Sequence, residues 1–393
     1  EDEAYFKAFF TFAFVPQGEQ DFEQYSPAVR EAWIEGGNVF GAGLEGTKFW
    51  AGKRFYRRHD VHINDWYFWD VSGPGAGIED VSIGPGKFAY AVFHNVEDDL
   101  FGNDIQAGSE DQFNITRHDL RYYDLQVNPG GSLTFGLDLR FGDNPDQQEV
   151  RNALQAERNR LRDVLEGTRD LEDVIDIDDL GDDVVTRVDV LNRISFIENF
   201  LDRGELNTAD DGYTLTLLHF QDGVMGGFNK VALQYGEALG AIDLGRVGAT
   251  TPFVSEDASA WRIVEQLLVE PNPNFSTLFT ATYEDDDVRG EWFSIGVRPK
   301  FYITDYFNIA VELGYDQIEP ESDGDERELW KFSIAPQLSA GRGFWTRPLL
   351  RAFVTYADWN DAAADAGIAG GADGPFEGDT DGFSYGFQAE SWW

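Results

Sequence analysis

The chain of 393 residues has no cysteine, so neither a disulfide framework nor a thiolate metal site is available, and redox chemistry does not mark its compartment. Basic charge is scarce: 30 Lys and Arg stand against 72 Asp and Glu, a net charge of −42. Such a charge repels a phosphate backbone and excludes nucleic acid as a partner. No apolar run reaches the length of a transmembrane helix. That absence leaves a transmembrane β-barrel open, because its strands alternate lipid-facing and lumen-facing residues and hide their apolarity in a period of two. Histidine is limited to His59, His62, His94, His118 and His219, and no spacing sets a nucleophile beside a base, so nothing points to an enzyme. No initiator Met and no charged-then-apolar leader precede Glu1, so an export signal is expected to have been removed or never included.

What is abundant is aromatic and alternating. Phe, Trp and Tyr make up 15% of the chain. Phe6, Ala8, Phe10, Phe12 and Phe14 share one face of 4–15, and Leu133, Phe135, Leu137 and Leu139 lie opposite Ser132, Thr134, Gly136 and Asp138. The same split sets Phe293, Ile295 and Val297 against Trp292, Ser294, Gly296 and Arg298, and Ile309, Val311, Leu313 and Tyr315 against Asn308, Ala310, Glu312 and Gly314. These are amphipathic strands. Tight connections such as NPGG (128–131) and GVMGG (223–227) contrast with long acidic ones at 238–258, 316–326 and 360–381. Short turns at one end and long loops at the other are expected of an outer-membrane barrel. A soluble β-sandwich or β-helix would also alternate, but Tyr5, Trp330, Tyr356, Trp359 and Trp393 near strand ends suit interfacial girdles better. Closing the sheet also leaves no unpaired backbone in hydrocarbon. At the C-terminus Trp392 and Trp393 point to opposite faces of a strand, which fits one to the lumen and the other to the membrane rim.

One segment breaks the pattern. Asn144 as N-cap and Pro145 at the first helical position open a helix with Val150, Leu154, Leu161, Val164 and Leu165, and a second follows through Val184, Val188, Leu191, Ile194, Ile197 and Leu201 to Gly204. The expectation is one porin-like barrel domain over 1–393, with a helical hairpin at 144–204 inserted in an external loop. A self-packed cap or trimer-facing ornament is the plainer reading of that hairpin; a lid or partner-binding helix is the sharper one.

The stretch WAGKRFYRRHDVHINDWYFWDVSGPGAGIE at 50–79 resembles the third-loop signature of maltoporins, the trimeric 18-stranded sugar channels of bacterial outer membranes. The resemblance continues in the family's order through NPGGSLTFGLDL (128–139), GGFNKVALQY (226–235), FSIGVRPKFY (293–302), WTRPLLRAFVTYADW (345–359) and QAESWW (388–393). It implies an antiparallel up-and-down transmembrane β-barrel, assembled as a homotrimer, that carries maltodextrin or another oligosaccharide without catalysis or energy coupling. The match starts near the family's third strand, so about sixteen strands are expected. Two readings stay open: a smaller barrel closed by pairing 4–15 with 382–393, or a sequence from which the first two strands are missing.

Carried over by position, the resemblance makes Phe22, Phe228, Trp345 and Trp392 an aromatic slide for sugar rings, with Phe22 in a loop that in the family reaches over a neighbouring subunit. Arg30, Arg58, Asp60, Asp65 and Tyr67 take the positions of the constriction and polar track, where Arg supplies donors and Asp acceptors for sugar hydroxyls. Two tyrosines of the family's first strands have no counterpart. By composition alone RRHD at 57–60 reads as a solvated loop or structural ion pairs; the long match turns the reading towards lining the pore. His59, Asp60 and His62 do not have the spacing of a zinc helix motif. DIDDLGDD (176–183), YEDDD (283–287) and EGDTDG (377–382) complete no EF-hand loop; they read as solvated surface, with Ca²⁺ as the only cofactor they suggest. The strong acidity fits either a saline habitat or cation bridging to lipopolysaccharide beside outer-membrane lipid. A general diffusion pore is the rival within the same class, and a surface receptor or enzyme the rival outside it.

Overall fold

The computed structural model describes residues 3–16, 25–41, 43–97, 113–143, 147–165, 194, 209–246, 254–287, 289–321, 324–367, 376 and 378–391. The strands are β1 (Tyr5–Pro16), β2 (Tyr25–Gly37), β3 (Lys48–Arg54), β4 (His59–Val61), β5 (Trp66–Trp69), β6 (Gly73–Ile83), β7 (Gly86–Glu97), β8 (Phe113–Asn128) and β9 (Gly131–Asp143). After helix α1 (Gln147–Leu165) come β10 (Asp211–Val224), β11 (Gly227–Ala238), β12 (Ser259–Asn272), β13 (Phe275–Asp286), β14 (Gly290–Tyr302), β15 (Phe307–Glu319), β16 (Arg327–Ser339), β17 (Leu349–Trp359), the short helix α2 (Asp361–Asp365) and β18 (Asp381–Glu390). Sixteen of the strands form one antiparallel sheet in chain order, interrupted only where β4 and β5 leave it as a separate two-stranded hairpin between β3 and β6.

The period of two that marks these segments becomes an outer and an inner wall. In β14, Ile295 is 49% exposed while its neighbour Ser294 is 4% exposed. Phe135, Leu215, Leu233, Ile263, Phe279, Leu313 and Phe332 repeat the outward apolar choice in neighbouring strands, and Thr216, Gln234, Arg262, Gln266 and Thr280 the inward polar one. A soluble protein hides such residues the other way round; hydrocarbon outside and water inside account for this inversion.

At the long-loop end the outward side carries a ring of aromatics. Tyr235 lies opposite Trp261 in the β11–β12 ladder and Tyr283 opposite Phe293 in β13–β14. Trp261 packs on Tyr283 with centroids 5.2 Å apart, Tyr315 on Trp330 at 4.4 Å and Tyr356 on Phe383 at 4.7 Å. The phenols of Tyr235, Tyr283 and Tyr315 donate to Glu237, Glu291 and Glu328, each at 2.7 Å, so the rings meet lipid while the hydroxyls reach a polar rim.

The connections alternate as expected, with 84–85, 129–130, 225–226 and 273–274 as two-residue turns at one end. Helix α1 occupies the β9–β10 connection; of the second helix expected before Gly204 only Ile194, helical and buried, is among the described residues. Among the described residues no ladder joins β1 to β18, and both faces of these two strands are largely exposed.

Because Ile295 stands mid-strand on the lipid side, Ile295→Arg is expected to destabilise the protein folded in bilayers by about 2–4 kcal/mol, whereas Ser384→Lys, on the lumen side, shifts it by about 0.5 kcal/mol or less. Urea titration in vesicles measures both, and equal costs would contradict the assignment of the two walls.

Candidate functional site

The hairpin that leaves the sheet starts from a fixed base. The Arg54 guanidinium donates to both carboxylate oxygens of Glu79 at 3.2 and 3.1 Å and lies 4.3 Å over the Trp33 ring. The backbone N–H groups of Phe55 and Tyr56 donate to Glu31 Oε1 at 3.0 Å and Ser72 Oγ at 2.9 Å. Trp50, Tyr56, Val71, Ala91 and Phe93 close an apolar cluster beneath them. From there the chain runs through β4, turns in a short 3₁₀ segment at His62–Asn64 and returns as β5. Asp65 ends the turn at φ 50°, a left-handed conformation that Asp tolerates better than most side chains.

The tip is held from the sheet by cations that bond loop carbonyls. Arg121 Nη1 donates to Arg57 O at 2.7 Å, Lys230 Nζ to Asp60 O at 2.8 Å, Arg262 Nη2 to Phe68 O at 2.9 Å and Arg298 Nη2 to Ile63 O at 3.3 Å. Gln266 adds a second bond to Asp60 O at 2.9 Å. These donors stand on β8, β11, β12 and β14, so the sheet must curve round the hairpin for all to reach it. Between hairpin and wall lies an apolar core of Val61, Phe68, Trp69, Leu218, Ala232 and Val264. Trp69 fits there because Gly136, paired with Arg121 and Thr216, has no side chain: a Cβ at Gly136 would lie 2.3 Å from Trp69 Cζ2. Arg121 covers the Trp69 ring at 3.9 Å.

Two further segments fold inward. Residues 239–246 descend from the long-loop end, where Gly245 O accepts the Asp70 N–H at 2.9 Å and Leu239 O and Ile242 O accept Arg140 Nη1 at 2.8 and 3.0 Å. Their Asp243 binds Arg289 at 2.5 Å. Residues 340–348 enter from the opposite end, where the Phe344 N–H donates to Glu270 Oε1 at 2.9 Å and Phe344 O accepts Lys300 Nζ at 3.2 Å. The tips meet: Trp345 packs edge-on against His62 with centroids 4.6 Å apart, and Phe344 joins Leu268, Leu278, Ile63 and Phe228.

What stays open lies between Ile63–Asn64–Asp65 and the wall of β14–β18. One cavity of about 440 Å³ is lined by Asp65, Arg298, Glu312, Lys331, Gln337, Arg351, Phe353 and Gln388, among others. A second of about 300 Å³ shares Ile63, Asn64, Glu312 and Lys331 with it and adds Trp66, Trp292 and Asp316. Arg298 is paired with Glu312, and Arg351 and Arg347 share Glu390. A separate recess of about 510 Å³ beside Phe135, Leu215 and Leu233 opens on the outward apolar side, where hydrocarbon meets it.

A match to the LamB porin family covers residues 1–164 and 188–393 of this framework. The chain belongs to the LamB porin family. It is therefore an outer-membrane porin, a channel of the β-barrel class and not an enzyme. Among solved structures it is similar to the Pseudomonas aeruginosa protein OccK10 (OpdN), at 12% identity over 91% of this chain and 92% of that one with a TM-score of 0.40. It is also similar to an anion-selective porin from Comamonas acidovorans, at 10% identity over 98% of each chain with a TM-score of 0.42.

In this porin the sequence-derived site residues divide. Asp65 lines the larger cavity, and Phe228 and Trp345 stand at the junction of the inward tips, Trp345 with 36% of its surface exposed. Tyr67 lies opposite Asp60 in the hairpin, and the Arg58 guanidinium sits 4.2 Å over the Tyr67 ring and 3.9 Å over Phe55. The Asp60 carboxylate is 3.8 Å from both Lys230 Nζ and His62 Nδ1. Arg30 is not brought to this group: it is exposed in β2 at the bulge where Thr11 pairs with Glu31 and Phe12 with Val29. The extra residue in β2 displaces it from the ladder. Phe22 and Trp392 lie outside the described residues. Of the acidic stretch 283–287, Glu284 and Asp286 bind Arg289, and Glu284 also binds Arg262. The stretch 176–183 lies outside the described residues. Sequence reasoning missed Trp66, Trp292, Arg298, Glu312, Lys331 and Arg351. The only signal for those on the wall was their place on the polar face of an alternating strand.

Two outcomes follow from how the hairpin is held. Gly136→Val puts a side chain where Trp69 lies, at a cost of about 1–3 kcal/mol. Faster trypsin cleavage after Arg57 or Arg58 than in the wild type would register the loosened loop. His59 stacks on Trp69 with centroids 5.2 Å apart; loss of water around it, then Arg121, Lys230 and Arg57, hold its pKa well below the ordinary 6.5. A site depressed in the docked loop binds protons better once undocked, so docking is fully favoured above pH 6.5 and weakens as pH falls below it. Current fluctuations are expected to grow from about pH 7.5 to about pH 5, and His59→Phe, which keeps the stack without a titrating nitrogen, removes much of that growth.

Proposed function

We propose that this porin conducts sugars, taking maltose and maltodextrins by facilitated diffusion, and that it works as a homotrimer among outer-membrane lipid and lipopolysaccharide. A linear glucan offers apolar ring faces and a rim of hydroxyls. The observation that carries the reading is the junction at the loop tip, where Trp345 meets His62 and Phe228 packs in the same cluster as Ile63, which in turn lines the cavity that holds Arg298, Glu312 and Arg351. Rings receive the sugar faces there, while guanidinium forks and carboxylates replace the water shed by hydroxyls. Covering one sugar face removes about 60 Å² of apolar surface, worth about 1.5 kcal/mol, or roughly one decade of affinity. Several sites of that strength in series attract a solute without trapping it.

The general-pore reading draws on the net charge of −42, which favours cations. Charges along the two cavities are balanced instead, with Arg298, Lys331 and Arg351 against Asp65, Glu312 and Asp316. That balance supports a neutral solute.

In planar bilayers, maltodextrin is expected to block ion current, and Trp345→Ala to weaken the block about tenfold. Block unchanged by the substitution would take Trp345 out of the sugar path, and no block of the wild type at all would leave the general pore.

A further inference from the structure

The smaller cavity lies on the long-loop side of the tip and has its own aromatic wall. Trp66 of the hairpin and Trp292 of β14 meet with centroids 5.0 Å apart and planes at 87°. Neither is among the slide residues carried over from the resemblance. Trp292 is oriented by its Nε1–H, which donates to Asp316 Oδ1 at 3.2 Å, and Trp66 is backed by the Arg262 guanidinium 4.9 Å from its ring. Gly296 and Gly314, paired across β14 and β15, line the same space and contribute no side chain to fill it. Lys331 on β16 faces both cavities, and among the described residues its ammonium enters no hydrogen bond or ion pair. Glu312 is held by Arg298.

We propose that this recess is an outer sugar subsite, which takes one hexopyranose ring of an oligosaccharide against the Trp66–Trp292 wall. The Lys331 ammonium donates to the ring's hydroxyls, and Asp316 and Glu312 accept from them. One free cation among anchored carboxylates gives donors and acceptors together, the complement of a neutral polyol rather than of an ion. The volume of about 300 Å³ is at the small end of ligand pockets, enough for one sugar unit and part of the next. Trp292 and Lys300, the latter bonded to Phe344 beside Trp345, are eight positions apart on β14, about 26 Å along the strand. A short chain therefore occupies one region at a time, and a long one bridges the outer recess and the junction at Trp345. The subsite adds to the affinity of long chains and leaves that of short ones alone.

This inference rests on the sugar-channel reading, and one experiment separates the two. Current block is titrated with linear glucans from maltotriose to maltoheptaose on the whole wild-type protein and on Trp292→Ala, Trp292→Phe, Lys331→Gln and Trp345→Ala. Trp292→Ala is expected to weaken maltoheptaose about tenfold and to leave maltotriose within about twofold, while Trp345→Ala weakens both. Trp292→Phe keeps a flat face and recovers maltoheptaose to within about threefold of the wild type; Lys331→Gln, at a residue that faces both cavities, weakens maltoheptaose more than maltotriose. Loss that is equal at every length, or no loss at any length, overturns the subsite while the sugar reading stands. If Trp292→Ala does not assemble, Trp292→Phe and Lys331→Gln decide alone: unchanged block of every glucan in Lys331→Gln, or length-independent loss in Trp292→Phe, overturns it. Absence of block by any glucan in the wild type removes the sugar reading and the subsite with it.

Discussion

The lumen depends on one kind of bond, a cation on the wall donating to a backbone carbonyl of the inserted hairpin. Arg121, Lys230, Arg262 and Arg298 each make it, at loop positions 57, 60, 68 and 63. A hydrogen bond to a charged group contributes about 1.5–3 kcal/mol, more than a neutral one, and these act away from bulk solvent where screening is weak. Bonding carbonyls rather than loop carboxylates has a second effect. It fixes the path of the backbone and leaves the Asp65 side chain to line the larger cavity.

The same choice explains how a protein of net charge −42 holds so many cations within it. Arg121 and Arg298 each face one carboxylate, Asp119 and Glu312, while other arginines share theirs: Arg117 and Arg140 on Asp138, Arg262 and Arg289 on Glu284, Arg347 and Arg351 on Glu390. A lone buried charge would cost several kcal/mol, and each set spreads that cost over several partners.

The wall was readable before the structure because alternation is local. Leu133 to Leu139 against Ser132 to Asp138, and Ile309 to Tyr315 against Asn308 to Gly314, follow from the pleat alone, and the expected sixteen strands form the sheet. The hairpin was readable only as a resemblance, since nothing in RRHDVHIND says that it turns inward. Its anchors escaped notice because each is a contact between distant positions: Arg298 and Ile63 are 235 residues apart, and Arg262 and Phe68 are 194 apart. Trp292 read as one more inward residue of a strand, and only the return of Trp66 beside it makes a pair. Arg30 shows the opposite failure, where a position carried by resemblance is moved aside by one extra residue in β2.

A passage formed by inward-folded segments from both ends behaves differently from a hole narrowed by a single loop. The hairpin comes from the long-loop end and 340–348 from the other, and they touch through His62 and Trp345. Each tip restrains the other, so the width at the junction is set by packing between two anchored elements rather than by the stiffness of either. Side chains there lose little further entropy when a solute arrives, because the wall has already ordered them. On the sugar-channel reading proposed above, weak contacts, each worth about a decade of affinity, then suffice to draw a chain in without holding it. Rigidity of the frame and weakness of the individual contacts are thus two sides of one arrangement, and both rest on the cations that fasten the hairpin to the wall.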